Sequence, residues 1–414
     1  MQYYRFPDKR ITHVGFALLM MVLLLLARDT MITHCVVGIY VSLAVTLAVL
    51  GLFGVVFLIY NRRDIKNTLL DKRMILLLIV TVVHLLPMFA KRDWQLMYIT
   101  VLLGSYVAIF MSYFASAREI AKYYVVLMSI FAVYSLLAHS VLRDIADAGI
   151  IQPQIFNNAG SRDYYNLWFA FPTVSELRER DFGMFREPGV YQYFLILALY
   201  LNNWRVEWKK EWKLWAINLI LAVSTLGTQS TNGVVELVLL AGILFFDKKM
   251  YKNKVILGVF VSAVLAVLGV MIYSIASKSL LYGYLGAVFS KLFTQSDSLT
   301  ARTASIFANL ELFVAHPLFG EKIPVVLHAI PHNTSSTLIM FAAFGVACGL
   351  LHIVGWIALV WDKSRHVLWN LGLVATMFMT FNTQNLTWDI LFWLFPMMAL
   401  TERVVPWLER KTAK

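Results

Sequence analysis

Apolar runs, each of about 17–25 residues and long enough to cross a bilayer, recur along the chain between short polar segments. They fall at approximately 11–27, 36–60, 74–90, 95–117, 123–142, 189–204, 214–228, 231–246, 255–275, 335–361, 367–383 and 388–401. Each predicts a transmembrane helix, because a backbone in hydrocarbon must satisfy its own N–H and C=O groups. The pattern thus predicts an all-α polytopic membrane protein of about twelve spans. Two polar stretches, at about 143–188 and 276–333, are far longer than the other connections. Loops of that length commonly carry function. The other connections are too short to fold alone, so residues 1–414 read as a single transmembrane domain with no internal repeat of the transporter kind.

Inside the second long loop, "SLTARTASIFANLELF" (298–313) has its own periodicity. Leu299, Ile306, Leu310 and Phe313 recur at helical spacing, and Ser298, Arg302, Ser305 and Asn309 form a polar stripe. "TQSD" before it offers N-caps and "HP" at 316–317 ends it. The segment predicts an amphipathic helix at the outer membrane surface, with Arg302 on its polar face.

Composition supports the membrane class. With 60% hydrophobic and 14% charged residues, a soluble domain of this length could not hide its apolar surface. Orientation follows from Lys and Arg. With both termini cytoplasmic, one side carries 24 of the 36 basic residues, all in short segments such as "NRRDIKNTLLDKR" and "DKKMYKNK", and both long loops face outward. The net charge of +12 is therefore mostly topology. Basic residues spread over short segments with no aromatic-rich binding domain exclude nucleic acid as a partner. The first run lacks an A-x-A-like cleavage site and is followed by "RDT", which predicts a retained anchor. Cys35 and Cys348 are too few for a disulfide framework or a cysteine metal site.

Candidate chemistry gathers at the outer ends of the spans. In "GMFREPGVYQYFLILALY" (183–200), Arg186 and Glu187 stand just before Pro188, which suits a first helical turn. A helix N-terminus beside an arginine favours an anion, with phosphate the usual occupant. The alternatives are that Arg186 snorkels to lipid head groups or pairs with Glu187. His332 and Asn333 stand before the tenth run, where the helix dipole favours a neutral imidazole able to accept a proton. The same histidine could instead only cap the helix. Asn232 and Glu236 share one face of the eighth run, and an acid inside a span is a functional candidate by default. It could equally bond a neighbouring helix. No metal-binding spacing occurs.

The order of these segments resembles the O-antigen polymerase and ligase superfamily of bacterial envelope glycosyltransferases, of the glycosyltransferase C-type membrane architecture. "FREPGVYQYF" precedes a mid-chain span and "STLGTQSTNGVVELVLL" follows. "SLTARTASIFANLELFVAHPLFGEK" then leads to "PHNTSSTLIMFAAFGVACGLL". The likeness covers roughly residues 160–360. It implies an active site on the outer, periplasmic face of the bacterial inner membrane. There Arg186 and Arg302 hold the pyrophosphate of an undecaprenyl-linked glycan and His332 is catalytic, with Glu187, Asn333 and Glu236 as accessory candidates. Arg162, Arg178 and Arg180 share the loop of Arg186. "REPG" looks more like capsule and exopolysaccharide polymerases than like ligases that load lipid A core.

The implied reaction is a metal-independent, inverting transfer without a cofactor. Glycan leaves undecaprenyl pyrophosphate for a sugar hydroxyl of a second lipid-linked unit. Arginine forks neutralise the departing phosphates and His332 takes the hydroxyl proton. The implied partners are the lipid-linked donor and acceptor, membrane lipids, a chain-length regulator and a flippase. A flippase for lipid-linked glycans is the reading from a different class, but it would need charged residues lining mid-membrane. Here Glu236 is nearly alone in the spans. A peptidoglycan polymerase of the shape-and-division type would centre on an external-loop aspartate instead.

Overall fold

The computed structural model describes residues 9–60, 72–157, 162–174, 180–258, 260–262, 265, 269, 297–329 and 333–412. The fold is mostly helical. Helices α1 (Lys9–Leu25), α2 (Ile39–Tyr60), α3 (Lys72–Lys91), α4 (Leu96–Met111) and α5 (Ala117–Leu137) precede the first long loop. That loop contains a short antiparallel hairpin, β1 (Ile155–Asn157) with β2 (Asp163–Tyr165), pairing Phe156 with Tyr164. Then come α6 (Pro188–Trp204), α7 (Glu211–Gly227) and α8 (Thr231–Asp247). Beyond the ninth run, which falls largely outside the described residues, lie α9 (Asp297–Ala315), α10 (Ile323–His328), α11 (Ser336–Phe344), α12 (Val346–Val360), α13 (Val367–Phe381) and α14 (Ile390–Thr412).

Among the described residues, two helices are long and apolar enough to cross a membrane. They are Arg73–Lys91 (19 residues, mean hydropathy 2.2) and Ala117–Asp147 (31 residues, 2.1), the latter being α5 continued through a π-helical stretch, Ala138–Leu142. Shorter apolar helices include Leu96–Met111, Val346–Val360 and Val367–Phe381. A 15-residue helix rises only about 23 Å against a hydrocarbon layer of about 30 Å. The even spans of the hydrophobic pattern thus become helices of unequal length.

Three boundaries differ from the pattern for local reasons. The run 95–117 stops at Met111, because Ser116 and Glu119 form a reciprocal capping box that starts α5 at Ala117. The run 388–401 continues to Thr412 through Pro396 and Pro406. The run 335–361 is not one helix: it breaks at Gly345, whose φ of +80° suits glycine. The carbonyl oxygen of Leu318 lies 2.1 Å from where a Cβ on Gly345 would stand. The "HPLFGE" segment is laid into this break, with Val346 N–H donating to the Pro317 carbonyl (2.9 Å) and Glu321 N–H to that of Ala342 (2.6 Å).

The core is built around α6, which is buried from Val190 to Asn202, as expected for a helix apolar on all sides. Helices α4 and α14 approach closely because Gly104 has no side chain: a Cβ there would stand 3.1 Å from Trp393 Cβ and 3.2 Å from the Ile390 carbonyl. Large apolar side chains such as Tyr40, Leu52, Leu78 and Leu219 are exposed on the outside.

Polar contacts join the helix ends in two groups. At one end Arg118 pairs with Glu207, Trp204 Nε1–H donates to Asp247 and Arg365 pairs with Asp247. At the other, Arg28 N–H donates to Asp389, Lys91 Nζ to the Glu321 carbonyl and Ile323 N–H to Asp93.

Helix α9 is present, but its faces are turned the other way. Ser305 and Asn309 of the polar stripe are buried against the protein, while Ile306, Phe307, Leu310 and Val314 are exposed. The stripe turns inward because it finds fixed hydrogen-bond partners there.

Candidate functional site

Two polar constellations sit around the first two turns of α6. The first holds Arg186. The chain after α1 runs antiparallel beside the segment before α6: Met31 N–H donates to the Met184 carbonyl (2.9 Å), Arg186 N–H to that of Asp29 (3.1 Å), and Thr30 bridges Phe185. Arg186 Nε then reaches Asp29 Oδ1 at 2.7 Å. Tyr164 of β2 donates its hydroxyl to the Arg186 carbonyl (3.1 Å). Burial opposes ionisation of Asp29, but the His34 hydrogen bond and the Arg186 and Arg28 charges outweigh it and hold the carboxyl below its usual range. Burial likewise works against the Arg186 cation, and Asp29 and Glu187 more than compensate, so its pKa is raised.

The partner of Arg186 is thus Asp29, with Glu187 contributing at longer range. Glu187 is the N-cap residue of α6 and makes no side-chain cap bond. It faces Arg180 as well, whose Nε donates to the Thr228 carbonyl (3.0 Å). Burial, with Arg162 nearby, brings the Arg180 pKa down to about 10, against the pull of Glu187. Arg178 lies outside the described residues.

The second constellation surrounds Glu236 of α8, which is fully buried. Gln192 of α6 donates to its Oε2 at 2.5 Å, and Asn232, one turn earlier on α8, donates to Oε1. Ser230 holds the other end of the Gln192 amide, its hydroxyl donating to Oε1 at 2.7 Å. Among the described residues, Arg302 of α9 is the charged group acting on Glu236, and Glu236 the one acting on Arg302. They act at a distance, with no ion pair within 4.0 Å. Burial lowers the Arg302 pKa and Glu236 partly offsets this.

A polar strap ties the two together. The Asn333 amide oxygen accepts from Ser305 Oγ (2.8 Å) and Asn309 Nδ2 (2.8 Å), and its nitrogen donates to Asn309 Oδ1 (3.1 Å) and the Val326 carbonyl (3.1 Å). All four hydrogen-bonding positions of the amide are used, so Asn333 is a clamp between α9 and the loop, with no capacity left for a substrate. Ser335 and Ser336 donate to Asn382 and to the Gln384 carbonyl. Gln384 in turn lies over Gly189, where a Cβ would meet its Nε2 at 2.2 Å. With glycine in "REPG" the Gln384 side chain can lie there; a larger residue would make that flexible side chain shift. His332, next to this clamp, lies outside the described residues.

Sequence reasoning passed over four participants. Arg28 and Asp29 stood in plain view as "RDT" after the first run. Gln192 and Gln384 were single amides in apolar or turn surroundings, and only their partners give them meaning. The Arg28 side chain makes no hydrogen bond or ion pair among the described residues, though burial presses on it and Asp29, Arg186 and Asp389 all lie within electrostatic reach.

Compared with known protein families, with curated proteins and with solved structures, the chain matches none.

Proposed function

We propose that the protein is a bacterial inner-membrane polymerase of lipid-linked oligosaccharide repeat units. It transfers glycan from undecaprenyl pyrophosphate to a sugar hydroxyl of a second lipid-linked unit at the periplasmic face. The observation that carries this reading is the convergence of two separate loop arginines on one end of α6. Arg186 precedes Pro188, while Arg302 acts on Glu236, which is bonded to Gln192 little more than a turn further on. Two guanidinium groups, Arg186 oriented by Asp29 at 2.7 Å and Arg302 within electrostatic reach of Glu236, suit a diphosphate leaving group. The exposed apolar side chains and the apolar outer face of α9 support a membrane setting, and twelve spans with cytoplasmic termini complete the proposal.

In this reading Arg186 binds the pyrophosphate in the ground state, Arg302 meets charge developing on it as the glycosidic bond breaks, and His332 accepts the acceptor hydroxyl's proton. The reaction is one displacement, so the anomeric centre inverts. The test is polymer formation from purified lipid-linked repeat units by membranes containing the protein. Long polymer on the carrier lipid supports the proposal. Transfer to lipid A core instead would make the protein a ligase, and intact units moved across the membrane without bond formation would make it a flippase.

A further inference from the structure

A cavity of about 680 Å³ opens at the opposite end of the bundle, between the end of α8 and the turn into α13. Its volume is that of a small-molecule site. Phe246 and Trp369 form one wall as stacked rings, 5.4 Å apart and 7° from parallel, and Tyr251 lies 6.2 Å from Phe246. At the back, Asp247 and Arg365 pair at 3.6 Å. Trp204 Nε1–H donates to Asp247 (2.9 Å), and Arg365 donates to the Val360 carbonyl and to Asn370. These two charges therefore neutralise each other.

Two nitrogen-bearing lining groups, His366 and Lys249, can meet a ligand. His366 Nδ1 accepts the Leu368 N–H (3.3 Å), which puts the proton of the neutral ring on Nε2 as a donor. Lys249 makes no side-chain hydrogen bond or ion pair among the described residues. Its backbone is left-handed, φ +53° and ψ +32°, just past the end of α8, where glycine is the favoured residue. A lysine there costs the fold about 1 kcal/mol relative to glycine. The fold thus carries a cation at the cavity mouth where its own backbone would prefer glycine. Beside the mouth, Val367, Leu368 and Leu371 are exposed and lead along α13.

We propose that this cavity binds the phosphate head group of an anionic phospholipid in the cytoplasmic leaflet. Lys249 and His366 contact the phosphate, Trp369 and Tyr251 lie at the interface, and the acyl chains follow the apolar side of α13. A cation, an imidazole donor, interfacial aromatics and an exposed apolar track together select a lipid phosphate over a free one. The inference rests on the membrane orientation above and is independent of the polymerase reaction.

The test uses the full-length protein purified in detergent and probed by native mass spectrometry and thermal melting with phosphatidylglycerol, phosphatidylcholine or inorganic phosphate. Phosphatidylglycerol is expected to be retained and to raise Tm, with neither effect from the other two. Lys249→Gly relieves the backbone and keeps the fold, so its Tm without lipid should equal or exceed that of wild type while phosphatidylglycerol affinity falls about five-fold or more. Lys249→Arg should restore binding, and Lys363→Ala, outside the cavity lining, should leave it unchanged. Wild-type lipid affinity in Lys249→Gly would overturn the proposal, as would equal retention of phosphatidylcholine. Tm raised equally by inorganic phosphate would replace the lipid with a free anion. A protein that leaves the membrane without detergent would instead sink the membrane reading itself.

Discussion

Arg186 holds Asp29 twice, through Nε on the carboxylate at 2.7 Å and through its backbone N–H on the carbonyl at 3.1 Å. The segment leading into α6 is thereby fixed to the chain that leaves α1, 157 positions earlier in sequence. An arginine so oriented loses little rotamer freedom on meeting a diphosphate, because its position is already set.

Asp29→Asn keeps the shape and one acceptor but removes the charge. Polymer yield should fall about ten-fold or more, with a loss of roughly 1–3 kcal/mol in stability, limited because the Arg186 side chain is 36% exposed. Donor titrations and thermal melting separate the two effects. Wild-type yield and donor affinity in this variant would mean that Arg186 needs no such orientation.

The second prediction separates roles at the proposed site. Arg302→Lys keeps the charge and loses the planar fork, so turnover should drop by roughly 10–1000-fold with donor binding less affected. His332→Ala should lose most turnover while still binding the undecaprenyl pyrophosphate donor. Arg186→Ala should weaken both. Polymer of wild-type length from His332→Ala would return that residue to a helix-capping role.

Asp181 gives a pH dependence with a defined sign. Its side chain accepts from Ser135 Oγ and from Gly183 N–H, and its Oδ2 is buried with no hydrogen-bond partner among the described residues. Burial pushes its carboxyl up to about 6, against those hydrogen bonds and Arg143, which favour ionisation. Because the folded pKa is raised, the stabilisation is fully present below the unfolded value near 3.8 and is lost as pH rises towards 6. The loss is of order 2–3 kcal/mol. Asp181→Asn should remove this slope between about pH 4 and 6 in thermal melts. An unchanged slope would assign the titration elsewhere.

Gly345→Ala tests the broken helix. The new Cβ would stand 2.1 Å from the Leu318 carbonyl oxygen at a φ of +80°, so the "HPLFGE" segment must leave the break. The expected result is a loss of more than about 2 kcal/mol and a low yield of monodisperse protein in detergent. Gly242→Ala, with nothing within 4 Å of the new atom, should be neutral. A stable Gly345→Ala variant would mean that the helix can run straight through.

The sequence by itself determined that the chain is mostly helical and where most of the described helices lie. Apolar runs, basic clusters and N-terminal residues such as Pro188 are local signals, and local physics reads them. The polar stripe on α9 and the glycine of "REPG" were likewise visible as pattern. Tertiary structure alone decided what those patterns mean. The stripe turns inward because Asn333 offers it hydrogen bonds, and the glycine of "REPG" leaves room for the Gln384 side chain, 195 positions away, to lie over it. The run 335–361 looks continuous because hydropathy does not register a single Gly345, yet the backbone of "HPLFGE" needs that opening. Asp29 becomes the partner of Arg186 only once α1 and α6 are adjacent. Hydrophobicity and helical propensity act between neighbours in sequence, whereas an ion pair or a close backbone approach depends on which distant segments the packing brings within about 3 Å.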